Sequence, residues 1–304
     1  MIKKVLCFSN RARLSCRQRQ LIIRTDNQTT GEQSEQSRPI EDIGVVIIES
    51  EQVTISSALI AELLEHKVAL IICDRKHMPS GLMLPLEGHT LQSERFDAQI
   101  SASLPLRKQL WQQTIAMKIR NQASVLKNVN NTEIGNMLAW ASQVRSGDPD
   151  NFEGRAAAYY WKNLFKEYPD FLRRQNGDAP NALLDYGYAI LRAVIARSLV
   201  ASGLIPTLGI HHSNKYNAYC LADDIMEPYR PYVDLLVINI MRIHKLSPEI
   251  SNETKKLLLT IPVIDVKMGK LSRPLMVAAS MTTASLAKCY LGEIRKLVYP
   301  EIEI

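Results

Sequence analysis

Short apolar runs separated by polar turns occupy the chain up to about residue 90. The runs VLCFSN, ARLSCR, QLIIRT, GVVIIES and VALIICD are rich in β-branched or aromatic side chains and are bounded by Asn, Asp, Gly and Pro, which predicts β-strands. The segment SSALIAELLEH instead repeats its apolar residues at helical spacing behind Ser56 or Ser57, which predicts one capped helix. The polar stretch TDNQTTGEQSEQSRP has few apolar side chains to pack, so we expect an exposed, mobile loop.

Beyond residues 90 to 100 the apolar period becomes that of α-helices. The helical segments are PLRKQLWQQTIAMKIRNQASVLKN, TEIGNMLAWASQV, FEGRAAAYYWKNLF, NALLDYGYAILRAVIARSLVASG, DDIMEPYRPYVDLLVINIMRIH and SLAKCYLGEIRKLV. The change of period predicts an α+β protein with two domains. A β-rich, β-sandwich-like domain would cover residues 1–95, and a larger all-α domain would cover residues 96–304.

Composition narrows the function classes. The 304 residues carry a net charge of +6, which favours an anionic partner such as nucleic acid. No apolar stretch is long enough for a membrane span, and the apolar start is too short for a signal peptide. The five cysteines are scattered, odd in number and never spaced as C-x-x-C, which argues against a disulfide framework or a structural zinc. We therefore expect a soluble, cytoplasmic protein without a membrane partner.

The chain lacks the common nucleotide-binding and hydrolase motifs. It contains no Walker-type loop, no G-x-G-x-x-G, no G-x-S-x-G and no H-E-x-x-H. Nucleotide hydrolysis, dehydrogenase and serine-hydrolase functions therefore lose most of their support.

The segment GIHHSNKYNAYCLADDIMEPYRP is the richest in candidate chemistry. Asp224 and Glu227 are three residues apart in a predicted helix, which places both carboxylates on one face, and Asp223 shares that face almost as well. Oxygen ligands so placed suit Mg²⁺ or Mn²⁺, and a histidine from the preceding connection would complete the shell. The alternative is that these acids stabilise the helix N-terminus and face solvent.

Two further segments are candidates for a functional role. Glu153 precedes the small-residue run GRAAA, which allows close approach of a neighbouring helix, although it too is an ordinary acid for a first helical turn. KMGKLSRP, near the C-terminus, has the composition of a short basic loop suited to phosphate contacts.

Several of these blocks resemble the CRISPR-associated protein one family, the integrase subunit of the CRISPR spacer-acquisition machinery. The resemblance is carried by CFSN, IEDIGVVIIES, HMPSGLMLPLEG, AAAYYW, NALLDYGYAILRA and GIHHSNKYNAYCLADDIMEPYRPYVD. HHSN and DIMEPYRP look most like the branch from type II systems, which have a single large effector nuclease.

The resemblance implies the site residues and the metal. The N-terminal domain would pair two protomers, and the helical domain would hold Mg²⁺ or Mn²⁺ through Glu153, His212 and Glu227. Asp224 matches a further acid of the site. His211 stands beside His212, and Asp223 beside Asp224, so helical spacing leaves both neighbours open as alternatives.

The resemblance also implies the reaction and the partners. A 3′-hydroxyl of a captured double-stranded DNA fragment would attack a phosphodiester of CRISPR repeat DNA. The homodimer would join the small CRISPR-associated protein two in a heterohexamer, and a type II effector nuclease would help to select fragments. Two other functions stay open: a metal-dependent nuclease of branched or single-stranded DNA without integration, and a non-catalytic nucleic-acid-binding protein whose acids only cap helices.

Overall fold

A computed structural model describes residues 3–26, 33–75, 78–168, 170–175, 177, 179–243, 245, 247 and 249–303. The chain divides into two units, Met1–Gly88 and His89–Ile304. This division precedes the expected boundary after residue 95, because a helix at Gln92–Ile100 lies in the second unit.

Strands dominate the first unit. Its elements are β1 (Lys4–Phe8), β2 (Ala12–Arg17), β3 (Gln20–Asp26), β4 (Gln33–Pro39), β5 (Ile43–Ile48), β6 (Val53–Ile55), α1 (Ser57–Glu65), β7 (Ala69–Cys73) and β8 (Pro79–Met83). One sheet has the order β1-β5-β7-β8, in which β8 alone runs antiparallel to its neighbour among the described strands. The other has the order β4-β3-β2-β6, with β2, β3 and β4 antiparallel and β6 parallel to β2.

Both sheets and α1 contribute to one core in this unit. Strand β5 has the sequence IGVVII and is buried along its whole length, as expected of an inner strand between parallel neighbours. Helix α1 begins where Ser56 accepts a hydrogen bond from the backbone N–H of Leu59, and its buried Leu59 and Leu63 pack into the core shared by the sheets. The predicted strands and the predicted helix are confirmed here.

The polar stretch before β5 differs from the prediction of a mobile loop. Its residues 33–39 form β4, which pairs with β3 from Gln20 to Asp26; the segment 27–32 lies outside the described residues. The ladder needs no apolar side chains, because backbone groups make its hydrogen bonds. Glu35 adds ion pairs to Arg17 at 2.7 Å and to Arg24 at 2.8 Å.

Helices dominate the second unit. They are α2 (Gln92–Ile100), α3 (Leu104–Asn130), α4 (Gly135–Gln143), α5 (Phe152–Leu164), α6 (Asn181–Ala201), α7 (Cys220–Met226), α8 (Arg230–Arg242), α9 (Asn252–Leu258) and α10 (Leu275–Tyr290). Short 3-10 turns cover Glu227–Tyr229 and Ile261–Val263. Within the described ranges, no helix is long and apolar enough to cross a membrane.

The second unit is not all-α, contrary to the prediction. Strands β9 (Asp265–Met268) and β10 (Leu271–Pro274) form an antiparallel hairpin, so the expected basic loop KMGKLSRP lies mostly in strands. Gly269 takes a positive φ of 61° in the turn, a conformation that glycine adopts without a steric penalty. The helical pattern predicted through LGEIRKLV also ends early, because α10 stops at Tyr290 and Gly292 has a φ of 75°.

Helices α3, α6 and α8 form the part of the second unit that positions the site. Ser103 caps α3, and Pro105 lies in its first turn. Helix α6 is buried along most of its length. A Cβ on Gly187 would lie 2.5 Å from a methyl group of Val233 on α8, so the absence of a side chain there lets α6 and α8 approach closely.

Candidate active site

A lysine from α3 joins the two glutamates that the sequence singled out. Lys118 Nζ lies 2.7 Å from Glu153 Oε1 on α5 and 2.6 Å from Glu227 Oε2, at the junction of α7 and α8. The Lys118 side chain is 10% exposed and that of Glu227 only 4%. The structure therefore brings two sequence-distant carboxylates onto one buried cation.

The start of α5 fixes the position of Glu153. Asn151 adopts a left-handed conformation with a φ of 52°, and its side chain accepts a hydrogen bond from the N–H of Gly154. The Asp148 carboxylate accepts the N–H groups of Phe152 and Glu153. These contacts satisfy N–H groups that a helix leaves unpaired at its start, so Glu153 projects from an anchored first turn.

A 3-10 turn held from two sides positions Glu227. Asn121 on α3 donates to the carbonyl of Pro228 at 2.8 Å and to that of Pro300 at 3.0 Å. The guanidinium of Arg230, in the following turn, lies 3.1 Å from Glu227 Oε1. Glu227 is thus held between two cations, Lys118 and Arg230.

These cations decide the charge state of the buried site. Burial opposes ionisation of Glu227, but Arg230 and Lys118 outweigh it, and the pKa of Glu227 falls below its ordinary value. Burial likewise opposes the charge on Lys118, yet Glu227 and Glu153 raise its pKa. Glu227 and Lys118 are therefore both held in their charged forms. A buried, doubly paired Glu227 is not the solvent-facing helix cap of the alternative interpretation.

The segment between α6 and α7 that contains His211 and His212, here called the histidine connection, is hydrogen-bonded to Asp224. The Asp224 carboxylate is fully buried and accepts the backbone N–H of His211 at 2.9 Å, the N–H of His212 and a short hydrogen bond from His212 Nδ1. Because Nδ1 faces the carboxylate, Nε2 is the imidazole nitrogen left for a ligand. Asp224 is therefore a residue that orients His212.

Gly209 makes this tight connection possible. A Cβ at position 209 would lie 2.2 Å from the carbonyl oxygen of His212 and 2.8 Å from Asp224 Oδ2. No side chain fits between these atoms, so the backbone of residue 209 approaches the His212 turn directly. This is a contact that the sequence pattern did not reveal.

The two histidines have different surroundings. The ring of His211 stacks on buried Trp111 of α3, with centroids 4.2 Å apart and planes 2° from parallel. His212 instead meets Trp111 edge-on and bonds Asp224. The hydrogen bond to Asp224 raises the pKa of His212, burial opposes it, and the charges of Glu227 and Glu153 add to the increase. The geometry thus favours His212 over His211 as the residue that faces the acids.

The paired aspartates are distinguished in the same way. Asp223 accepts hydrogen bonds from Arg192 Nε at 2.6 Å and from the Asn217 side chain at 2.7 Å, so both its oxygens are engaged in holding α7 to α6 and to the preceding connection. Asp224 is the acid that contacts His212.

Glu153, His212 and Glu227 are neighbours but do not form a closed ligand set. His212 makes no hydrogen bond or ion pair with either glutamate, and in the described part of the chain no group of three or more His, Cys, Asp or Glu side chains is arranged to hold a metal ion. The residues nonetheless fit a divalent cation. Two carboxylates already share the positive charge of Lys118. Glu227 Oε2 is buried and close to Lys118 Nζ, but the angles of this contact are not those of a hydrogen bond. Oxygen and imidazole ligands suit Mg²⁺ and Mn²⁺.

Sequence reasoning did not single out Lys118. The sequence nevertheless contained a signal for it. Lys118 lies on the same buried face of α3 as Trp111, Ile115, Ile119 and Gln122. A lysine at a buried helical position requires acidic partners. That argument predicts paired acids without naming them.

Comparison with known proteins places the chain in a family. The model of the family described as CRISPR associated protein Cas1 matches residues 5–262. The chain is 40% identical over 257 residues to the CRISPR-associated endonuclease Cas1 of Neisseria meningitidis serogroup C (strain 8013), covering 84% of this chain and 82% of that protein. It is 26% identical over 272 residues to the CRISPR-associated endonuclease Cas1 2 of Pyrobaculum aerophilum, covering 85% and 91%.

Solved structures share the fold at low sequence identity. A casposase bound to integration product superposes with a TM-score of 0.79 at 23% identity, covering 98% of this chain and 92% of that one. A Cas1 protein from Thermotoga maritima, TM1797, gives a TM-score of 0.74 at 16% identity, covering 95% and 98%. With the family model matching most of the chain, the protein belongs to the CRISPR-associated Cas1 family.

Proposed function

We propose that the protein is a divalent-metal-dependent DNA endonuclease and integrase. In the proposed reaction, the 3′-hydroxyl of a captured DNA fragment attacks a phosphodiester of a CRISPR repeat, and the fragment becomes a spacer in the array. The observation that carries the proposal is the buried Glu153–Lys118–Glu227 group beside His212, in a chain similar to a protein named as a Cas1 endonuclease.

Glu153, His212 and Glu227 would hold Mg²⁺ or Mn²⁺. When bound, such an ion supplies positive charge to the phosphoryl group undergoing substitution. Asp224 keeps His212 oriented through Nδ1, and Arg230 keeps Glu227 ionised. Lys118 would leave its place between the carboxylates when another cation takes it, because both cannot share those oxygens at 2.6–2.7 Å.

The proposed partners follow the family resemblance. They are a second copy of this chain, the small Cas2 protein in a heterohexamer, double-stranded fragments and repeat DNA, and a type II effector nuclease. A solved Cas6-RT-Cas1–Cas2 complex contains a chain that superposes with a TM-score of 0.76 at 19% identity, covering 99% of this chain and 36% of that one. That complex is named for both Cas1 and Cas2, and we extend the pairing to this chain as part of the proposal.

Product analysis separates integration from simple cleavage. A labelled fragment with a 3′-hydroxyl and a matched fragment with a 3′-dideoxy end are each incubated with the protein, Mn²⁺ and a duplex that carries a CRISPR repeat. We expect a joined strand from the hydroxyl fragment alone, because only it has the attacking oxygen.

The second candidate function is a nuclease without integration, which the endonuclease name of the Neisseria relative favours. Equal cleavage of the target with both fragments, and no joined strand, would establish that candidate and overturn integration.

A further inference from the structure

A cavity opens beside His212. It has a volume of about 370 Å³ and lies among α2, the start of α3, the connection before α7 and the end of α10. Arg107, Lys215, Tyr290 and His212 are part of its wall. None of the described residues that line it is an aspartate or a glutamate. Buried Asp224 balances His212, whereas Arg107 and Lys215 pair with no carboxylate among the described residues.

Arg107 has no acceptor for its guanidinium among the described residues. Its Nε is buried without a hydrogen-bond partner. The Arg107 side chain also forms no ion pair with any residue that the structure describes. Leaving this buried N–H without an acceptor is costly, and the planar fork of guanidinium donors matches the oxygens of a phosphate. An anion in the cavity would supply the missing acceptor.

Tyr290 adds a neutral donor next to this charge. Burial and then the charge of Asp224 raise the pKa of its hydroxyl, with Arg107 acting in the opposite direction, so the phenol stays protonated at neutral pH and lies within electrostatic reach of Arg107. Its hydroxyl makes no hydrogen bond within the described residues. Lys215, near the rim, is exposed, with its ammonium over the ring of Tyr216.

Amide side chains in the wall are largely committed elsewhere. Gln99 donates to the carbonyls of Ile205 and Leu208 and accepts the N–H of Ile205. Asn217 donates to Asp223 and accepts the N–H of Tyr219. Amide side chains often hydrogen-bond to the edges of bases. In Gln99 and Asn217, however, both the oxygen and the nitrogen of the amide already bond within the protein. Asn214 accepts the N–H of Tyr216 through its side-chain oxygen. The side-chain groups left for a ligand are therefore donors, which suit a phosphate oxygen.

We propose that this cavity is a phosphate-binding subsite, in which Arg107 and Tyr290 hold one backbone phosphate of the DNA strand that reaches His212. The inference rests on the proposed function, because it takes the anion to be DNA. It assigns Arg107 and Tyr290 as positioning residues: they would bind DNA whether or not a divalent metal is present.

The test measures binding of a short single-stranded oligonucleotide to the full chain in EDTA by fluorescence anisotropy. Arg107→Gln is compared with Arg120→Gln, which removes an equal charge from an exposed position on the same helix. We expect Arg107→Gln to weaken binding about tenfold or more, and Arg120→Gln to change it less than about threefold. One lost phosphate contact should reduce the salt slope by about 0.7.

A neutral methylphosphonate, placed at one backbone position at a time, identifies the phosphate. At one position, the methylphosphonate should weaken binding to the wild type as much as Arg107→Gln does. At that position it should cause no further loss of affinity in the Arg107→Gln variant. The melting temperature of Arg107→Gln should stay close to that of the wild type, because no internal partner among the described residues is lost. Tyr290→Phe, which removes only a hydroxyl, provides a second variant, and we expect it to weaken binding about threefold.

The proposal is overturned if Arg107→Gln and Arg120→Gln weaken binding equally, or if no methylphosphonate position is coupled to Arg107. Loss of inorganic phosphate binding with unchanged oligonucleotide binding would also overturn it, since the cavity would then be a small-anion site. Because the assay contains no metal and no joining step, a failure of integration leaves its outcome unaffected.

Discussion

At the scale of single residues, Lys118 is the group that controls the site. Its ammonium contacts the carboxylates of both Glu153 and Glu227 and places one positive charge between them. Two carboxylates deprived of that cation would repel each other, and a divalent ion would relieve the repulsion better than a lysine. Lys118 and the proposed metal therefore compete for the same oxygens.

Replacing Lys118 by Met should make the fold depend on the metal. Without divalent ions, Lys118→Met should lose about 3 kcal/mol or more of unfolding free energy, because Glu227 keeps only one buried partner. Adding Mn²⁺ should raise the melting temperature of the variant more than that of the wild type, as followed by thermal denaturation with and without the ion. An equal increase in both proteins would contradict the competition.

The sequence predicted the acids but not their partners. The family resemblance names Glu153, His212 and Glu227 as site residues, and helical spacing places Asp224 and Glu227 on one face. Local spacing cannot show that Asp224 bonds the imidazole while Asp223 bonds Arg192. That distinction depends on the path of the connection before α7, which carries no periodic signal.

At the scale of elements, the connection from α6 to α7 must place His212 against Asp224. Gly209 permits this because its Cα approaches the His212 carbonyl. Apolar periodicity predicted the helices on both sides of this connection. The close approach of Gly209 to His212 involves residues that belong to no periodic pattern. Turn geometry of this kind is visible only in three dimensions.

Gly209→Ala should disrupt the histidine connection. The new methyl group would collide with backbone, so we expect a loss of about 1–3 kcal/mol in stability and a fall in activity on the order of 10²-fold from the displaced His212. Gly135→Ala is the matched control, since its Cβ would meet only the flexible end of Glu133 at 3.4 Å. Normal strand joining and stability in Gly209→Ala would show that the connection has room to adjust.

Asp234 joins α8 to two other helices. Its buried carboxylate accepts hydrogen bonds from Tyr160 on α5 and Tyr188 on α6. Burial raises its pKa to about 6, although both tyrosines and two arginines act in the opposite direction. The folded protein therefore binds a proton at Asp234 more readily than the unfolded chain does.

The raised pKa of Asp234 fixes the direction in which pH changes the stability of the folded protein. Between about pH 4 and 6 the folded state holds more protons at Asp234, so its contribution to stability should grow as pH falls, by up to about 1.4 kcal/mol per pH unit. Unfolding free energies of wild type and Asp234→Asn, measured from pH 4 to 7, isolate the effect in their difference. A difference that is constant with pH, or one that favours the wild type as pH rises, would refute it.

At the scale of the whole molecule, the change from strand to helical periodicity was a sound guide to the order of elements. It failed where side-chain pattern is uninformative. Strand β4 is polar and joins its sheet through backbone bonds, and the β9–β10 hairpin is too short and basic to stand out from a loop. Both are held by pairing with a neighbour, which a single segment does not display.

The first unit should pair two protomers independently of the catalytic group. Ile72 on β7 and Met83 on β8 are each 39% exposed, and pairing would cover such apolar surface. We expect light scattering to give a dimer mass for the wild type and for Glu227→Ala, and a monomer mass for the Ile72→Asp, Met83→Asp double variant. A monomeric wild type at micromolar concentration would remove the dimer and the heterohexamer that depends on it.

The central claim is that His212, with Glu153 and Glu227, forms the metal site that joins DNA strands. The most direct test is a single-turnover strand-joining assay with Mn²⁺ that compares His212→Ala with its neighbour His211→Ala. We predict a loss of about 10²-fold or more for His212→Ala and at least an order of magnitude less for His211→Ala, with both variants folded. Full activity in His212→Ala, or an equal loss in both variants, would contradict the account.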